Sequence, residues 1–208
     1  MLYKIIIWYY CVNEFFINKE VICEMEALLN FDTSILDWIQ STLRCGFLDS
    51  FVVILNYVMT SGILWIVLGV ILLFFRKTRA AGIILLAALA LAFLTGDVLL
   101  KHIINRPRPF TVNTDIVLLM KAPSGSSFPS THSGLAAAAA TVLLAKKRSI
   151  GFAALALTVC VAFSRLYLYF HYPTDVFCGL ILGMLCGLLA LWIGKKTKLE
   201  NRLNGRKA

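Results

Sequence analysis

The sequence predicts an all-α fold: a polytopic membrane helical bundle of about five to six helices with an N-terminal amphipathic helix. Two observations carry that prediction. Apolar runs recur at 51–75, 80–100, 133–145, 150–163 and 176–194 in a 208-residue chain that is 60% hydrophobic and only 15% charged, with a mean hydropathy of +0.82. The basic residues, which set a formal net charge of +9, gather at the ends of those runs. A membrane span needs about 20 mostly apolar residues. Runs 80–100 and 176–194 meet that length, while 133–145 and 150–163 need their flanks to complete a crossing. Barrel-like alternation is absent, which leaves helices as the spanning elements.

Taken in order, residues 1–25 open with MLYKIIIWYYCVNEFF, an apolar piece too short to span and interrupted by Asn13 and Glu14. No small-residue cleavage site follows, which argues against a signal peptide. The segment reads as an interfacial anchor or as a dispensable, poorly packed leader ahead of a start at Met25, with a slight preference for the leader. Residues 26–194 are the expected membrane domain and 195–208 a polar, frayed tail. Between 30 and 48, Phe31, Ile35, Ile39, Leu43 and Phe47 step by four along a helix. Asp32, Thr33 and Ser34 are N-cap candidates there, and Gly46 is a stop. The pattern fits a helix lying on the membrane surface; one packed on the bundle fits nearly as well. Run 51–75 is one tilted span or two pieces broken at Ser61-Gly62.

The basic clusters Arg76–Arg79, Lys146–Arg148 and Lys195–Lys198 each abut an apolar run. By the positive-inside rule all three are cytoplasmic. That placement favours topology and headgroup contact over nucleic-acid binding. From there the chain crosses outward through 80–100, stays outside for 101–132 and returns to 146–148. It crosses outward again to 164–174 and returns through 176–194, leaving the C-terminus cytoplasmic. Two polar segments remote in sequence therefore share the outer face. Ala136–Ala140 suits close helix packing. The six cysteines have no metal-like spacing and indicate no disulfide; Cys160, Cys178 and Cys186 read as small packing residues.

Those outer segments hold KHIINRPRP (101–109), SFPSTH (127–132) and SRLYLYFHYPTD (164–175). Charges at membrane depth are costly and mark function. Lys101, Arg108 and Arg165 facing one place require an anion. Two guanidinium forks, an ammonium, the Ser130 hydroxyl and backbone N–H groups make a phosphate-sized cage. His171 and Asp175 are four residues apart, a spacing that lets a carboxylate fix an imidazole tautomer and stabilise the imidazolium. That arrangement suits a nucleophilic imidazole, and His132 is a second imidazole able to protonate a leaving oxygen. A nucleophile and an acid beside a cationic cage describe phosphoryl transfer.

These stretches resemble the signature of the type 2 phosphatidic acid phosphatase/haloperoxidase superfamily: K-x6-R-P, P-S-G-H and S-R-x5-H-x3-D. Here they stand as Lys101…Arg108-Pro109, Pro129-Ser130-Thr131-His132, and Ser164-Arg165…His171…Asp175. Spacing, order and shared face agree. The resemblance implies that Lys101, Arg108 and Arg165 bind phosphate with help from Ser130. It implies that His171 attacks phosphorus, Asp175 orients His171, and His132 acts as acid and then as base. The one departure is Thr131 in the glycine position. Its backbone N–H can still donate to phosphate if φ stays negative, while its side chain narrows the pocket.

Around these residues, Asp97 lies four before Lys101 and either pairs with it or is solvated at the helix end. His102 reads as an ordinary interfacial histidine, and Arg106 as a headgroup contact in preference to a rim contact to substrate. Tyr167, Tyr169, Tyr172 and Trp192 read as an aromatic belt, and Pro173 as the first turn of the last span. Between residues 50 and 199 the only acids are Asp97, Asp115 and Asp175, too few for a two-metal hydrolase. No metal or other cofactor is expected. The sequence thus points to a membrane phosphatase working on the extracytoplasmic face of the cell membrane, with membrane lipids around it and no obligatory protein partner. The expected substrate is a lipid phosphate or diphosphate, with undecaprenyl diphosphate first and phosphatidic acid or phosphatidylglycerol phosphate as alternatives. A non-catalytic anion transporter or scaffold would not need His171, Asp175 and His132 together. A vanadate-dependent haloperoxidase would share the cage, but its known relatives are soluble.

Overall fold

A computed structural model describes residues 19–59 and 62–204. Helix α1 (Lys19–Trp38) runs into a π-helical turn at Ile39–Leu43. α2 (Gly46–Val58) and α3 (Ile63–Phe74) follow, their axes bent by 44°. α4 (Arg79–Phe93) continues through a π-helical stretch, Leu94–Leu100, into the short α5 (Lys101–Ile104). A single turn, α6 (Pro109–Val112), and a loop precede α7 (Thr131–Lys146), α8 (Arg148–Tyr167), α9 (Pro173–Lys196) and the short α10 (Leu199–Asn204). The described residues contain no strand, so the fold is all-α as expected.

Three segments are long and apolar enough to cross a membrane: Arg79–Val112, Arg148–Tyr167 and Pro173–Lys196. Taken together as one span, the bent pair α2–α3 would make a fourth. The expected break in 51–75 falls between α2 and α3; Thr60 and Ser61 themselves lie outside the described residues. At 16 residues, α7 spans only about 24 Å at 1.5 Å per residue. It can be short because it is the centre of the bundle rather than a lipid-facing wall. Ser133 to Ala140, Val142 and Leu143 are all buried.

Close packing sets α7 against α9. Gly179, Gly183 and Gly187 repeat every four residues on the face of α9 that meets α7. A Cβ on Gly183 would overlap the Gly134 carbonyl oxygen, and one on Gly179 would lie 2.5 Å from that of Ser130. Side-chain-free contact lets the two backbones touch, the small-xxx-small device of membrane helices. The core proper lies between α4, α7 and the flanking helices, around Leu85, Leu89, Ala136, Leu143 and Val161. The outer faces carry exposed Phe74, Phe152, Val159, Phe177 and Leu185, as lipid-facing walls should.

The N-terminal region differs from expectation. α1 begins at Lys19, so Asp32 lies inside that helix and does not cap it. Gly46 opens α2 instead of closing α1. The four-residue step misleads because 400° per step drifts round the helix. Phe31 and Phe47 are exposed, whereas Leu36 and Ile39 are buried. Those two residues pack on Tyr167, Leu168, Tyr169, Phe170 and Tyr172 of the turn between α8 and α9. α1 is therefore a helix packed on the bundle. Of the expected leader 1–25, residues 1–18 lie outside the described residues and the rest begin α1. The tail also differs: Leu199 of α10 packs against the core, while residues 205–208 lie outside the described residues.

Candidate active site

One end of the bundle collects the C-terminal ends of α4–α5 and α8, the N-terminal ends of α7 and α9, and the loop before α7. They enclose a cavity of about 300 Å³ whose wall includes Lys101, Arg108, Thr131, His132, Arg165 and His171. The three motifs, up to 70 residues apart, are thus brought together. The basic clusters at residues 76–79, 146–148 and 195–198 lie at the opposite ends of the same helices.

His171 sits in the turn between α8 and α9, its side chain 5% exposed. Its Nδ1 lies 2.7 Å from the Ser127 carbonyl oxygen. A carbonyl only accepts, so Nδ1 carries the hydrogen and Nε2 keeps its lone pair. The Arg108 Nη1 group, 3.3 Å from Nε2, donates toward that lone pair. Burial pushes the imidazole down to about 4, the neighbouring Asp175 opposes this, and Arg108 adds to it. His171 is therefore neutral near pH 7, the state a nucleophile requires.

Arg108 precedes the turn of α6 and is 5% exposed. It donates through Nε to the Gly125 carbonyl (2.9 Å), through Nη1 to that of Phe170 (3.1 Å) and through Nη2 to that of Ser124 (3.2 Å). Arg165, at the end of α8, is 2% exposed. Its guanidinium is held by the Ser164 hydroxyl at 3.0–3.2 Å and by the side-chain amide oxygen of Asn56 on α2. Among the described residues no carboxylate is bonded to either fork, and both line the cavity. Lys101 pairs with Asp97, so the pairing alternative for Asp97 holds. The same Asp97 Oδ1 accepts from the Thr131 hydroxyl at 2.6 Å. Asp97 lies in the π-helical stretch of the long helix, a local widening that often marks functional sites. The N-terminus of α7, which carries Thr131 and His132, adds its partial positive charge to the wall.

Two expected residues are placed differently. Ser130 does not line the cavity: its hydroxyl lies 3.0 Å from that of Ser133 and its N–H donates to the Asp175 carbonyl at 3.0 Å. Asp175 is 3.9 Å from His171 Nδ1, beyond hydrogen-bond reach. Its carboxylate instead accepts from the Ser127 hydroxyl (2.5 Å), the Tyr172 N–H (2.9 Å) and Arg106 Nη1 (2.5 Å). Ser127 thus links Asp175 to His171, and its carbonyl is the imidazole's direct partner.

Sequence reasoning missed four groups. Arg106 bridges Asp175 and the fully buried Asp32 (2.8 Å) and lies 4.0 Å from the Tyr172 ring centroid. Asp32 also accepts from the Thr174 N–H and hydroxyl. Asn56 was readable as a lone amide inside an apolar run, a recognised signal; Ser127 gave none. The tyrosines are core residues instead of a belt, each 1–2% exposed. The Tyr167 hydroxyl donates to Asp49 and that of Tyr169 to Asp37. Trp192 is exposed, as a belt residue would be, and Pro173 opens α9 as expected. Tyr169 has φ +60°, a strained conformation for a bulky residue, two positions before His171.

The chain is similar to proteins of known family. The PAP2 superfamily model matches residues 81–198. An undecaprenyl-diphosphatase of Sulfolobus acidocaldarius is 32% identical over 143 residues, 67% of this chain and 69% of that protein. The crystal structure of Aquifex aeolicus LpxE superposes with TM-score 0.69 at 29% identity, covering 77% of this chain and 94% of that one. A PAP2-type phosphatidylglycerolphosphate phosphatase of Bacillus subtilis gives TM-score 0.67 at 29% identity, over 82% and 87%.

Proposed function

The chain belongs to the PAP2 superfamily, and on that premise we propose that it is a membrane hydrolase that removes phosphate from undecaprenyl diphosphate through a phosphohistidine at His171. The observation that supports this most is the fixed imidazole: Nδ1 bonded to Ser127, Nε2 bearing its lone pair in a cationic cavity. Nε2 attacks the terminal phosphorus and the bond from phosphorus to the lipid-side oxygen breaks. His132 protonates that oxygen: burial and then the neighbouring Arg165 push its imidazole down to about 3, and the anionic substrate opposes that shift by neutralising the cage. A water molecule, deprotonated by His132, then attacks the phosphohistidine and inorganic phosphate leaves. Lys101, Arg108 and Arg165 hold the phosphoryl oxygens as charge shifts among them. The cage does the work that divalent ions do elsewhere, so turnover is expected to persist in chelator.

The positive-inside rule puts the basic ends in the cytoplasm and the cavity on the outer face of the cell membrane, where a spent polyprenyl diphosphate would be met. The likeness to a phosphatidylglycerolphosphate phosphatase supports a second reading, in which the substrate is a phosphatidylglycerol phosphate. One experiment separates them: phosphate release from undecaprenyl diphosphate, phosphatidylglycerol phosphate and phosphatidic acid, with and without chelator, by wild type and His171→Ala. The diphosphate should be cleaved fastest, chelator should not matter, and His171→Ala should lose at least ~10³-fold in kcat, as removal of a nucleophile does. Turnover by His171→Ala at the wild-type rate would end this mechanism.

A further inference from the structure

Three cations serve the motifs' single phosphate, yet the cavity has a fourth. Lys121, in the loop between α6 and α7, belongs to none of the motifs and lines the cavity with Lys101, Arg108 and Arg165. The loop is tied down on both sides of it. On one side Met120 Sδ accepts from Asn56 Nδ2 at 3.2 Å. On the other, the carbonyls of Ser124 and Gly125 accept from Arg108. The partners that anchor the loop are thus Arg108 of the cage and Asn56, which itself holds Arg165. A lysine on an irregular segment is in this way kept at the cavity. It is exposed, as a residue at the cavity's rim must be. Among the described residues the ion pairs leave it out.

Charge matching indicates what it meets. Among the described residues the only carboxylate in the wall is Asp97, against Lys101, Arg108, Lys121 and Arg165. Without Lys121 the wall would carry a net two positive charges, a match for a phosphomonoester of about −2. With it the wall carries three, and a diphosphate has one further ionised oxygen. A volume of about 300 Å³ is at the small end of ligand pockets, enough for a headgroup with the lipid tail outside.

We infer that Lys121 holds the phosphate that stays on the lipid, so that this site discriminates lipid diphosphates from lipid monophosphates. The inference rests on the reading that His171 attacks the terminal phosphorus. As the N–P bond forms, the bond from that phosphorus to the bridging oxygen breaks. The electron pair passes to the bridging oxygen, and a lipid monophosphate departs. The Lys121 ammonium faces the negative charge that grows there, an interaction a monophosphate substrate cannot use in full because its leaving group is an alcohol.

The test uses two substrates with one tail, farnesyl diphosphate and farnesyl monophosphate, and the full chain in detergent. The quantity read is the ratio of kcat/KM for the two, in wild type, Lys121→Gln, Lys121→Arg and His171→Ala. Lys121→Gln should lower the ratio of diphosphate to monophosphate roughly tenfold, the worth of one charge-assisted hydrogen bond. Lys121→Arg should recover most of it. A ratio unmoved by Lys121→Gln, whether both activities persist or fall together, overturns the inference and leaves the His171 reading intact. His171→Ala retaining both activities overturns both.

Discussion

At the residue scale, Thr131 occupies the motif's glycine position and is the chain's own solution to a problem of order. A lysine stem is flexible, and Asp97 alone fixes the Lys101 ammonium at one point. The Thr131 hydroxyl binds the same carboxylate oxygen from α7, tying the long helix to the helix that carries His132. The side chain that the sequence showed as narrowing the pocket is engaged with Asp97. Thr131→Val keeps the shape and removes the hydroxyl. It should raise KM about three- to tenfold, roughly one hydrogen bond's worth, while Thr131→Ser keeps KM within twofold. Initial rates across substrate concentration decide it; equal KM in all three proteins would reduce Thr131 to a space-filler.

At the element scale, α1 is held to the catalytic end by buried charge. Arg106, in the segment between α5 and α6, joins Asp32 of α1 to Asp175 of α9, and both carboxylates are fully buried. Breaking a buried pair leaves an uncompensated charge, at a cost of about 3–5 kcal/mol. Arg106→Leu strands two carboxylates and should lower the thermal unfolding midpoint in detergent strongly. Asp32→Asn, which keeps an acceptor for Thr174, should lower it less. Indistinguishable midpoints for wild type and Arg106→Leu would show that the network is solvated and α1 is held by Leu36 and Ile39 alone. The network also bears on chemistry, because the Asp175 carboxylate positions Ser127, and Ser127 positions His171.

At the scale of the whole molecule, the same helices carry catalytic polarity at one end and basic clusters at the other. This separation fixes the expected orientation and can be read directly by cysteine accessibility. In a background without native cysteines, Val117→Cys in the exposed loop of the cavity end should react with a membrane-impermeant thiol reagent in intact cells. Lys77→Cys, at the opposite end, should react only after the cells are opened. The reverse pattern would place the cavity on the cytoplasmic side.

The sequence by itself determined the class of fold and the family. Apolar runs of span length allow only helices in a bilayer, and rare polar groups at fixed spacings are costly enough to mark the site. Tertiary structure decided which of those groups face the cavity and which support them. Asp32 looked like a helix cap and Arg106 like a headgroup contact, because one-dimensional spacing cannot show that two helices and a turn bring them within 2.8 Å of each other. Asp175 sat at the right interval from His171, yet the loop before α7 brought the Ser127 carbonyl to the imidazole as its partner. Local pattern reports what a residue prefers; the partner it finds depends on which remote backbone the packing, through contacts such as Gly183 on Gly134, sets beside it.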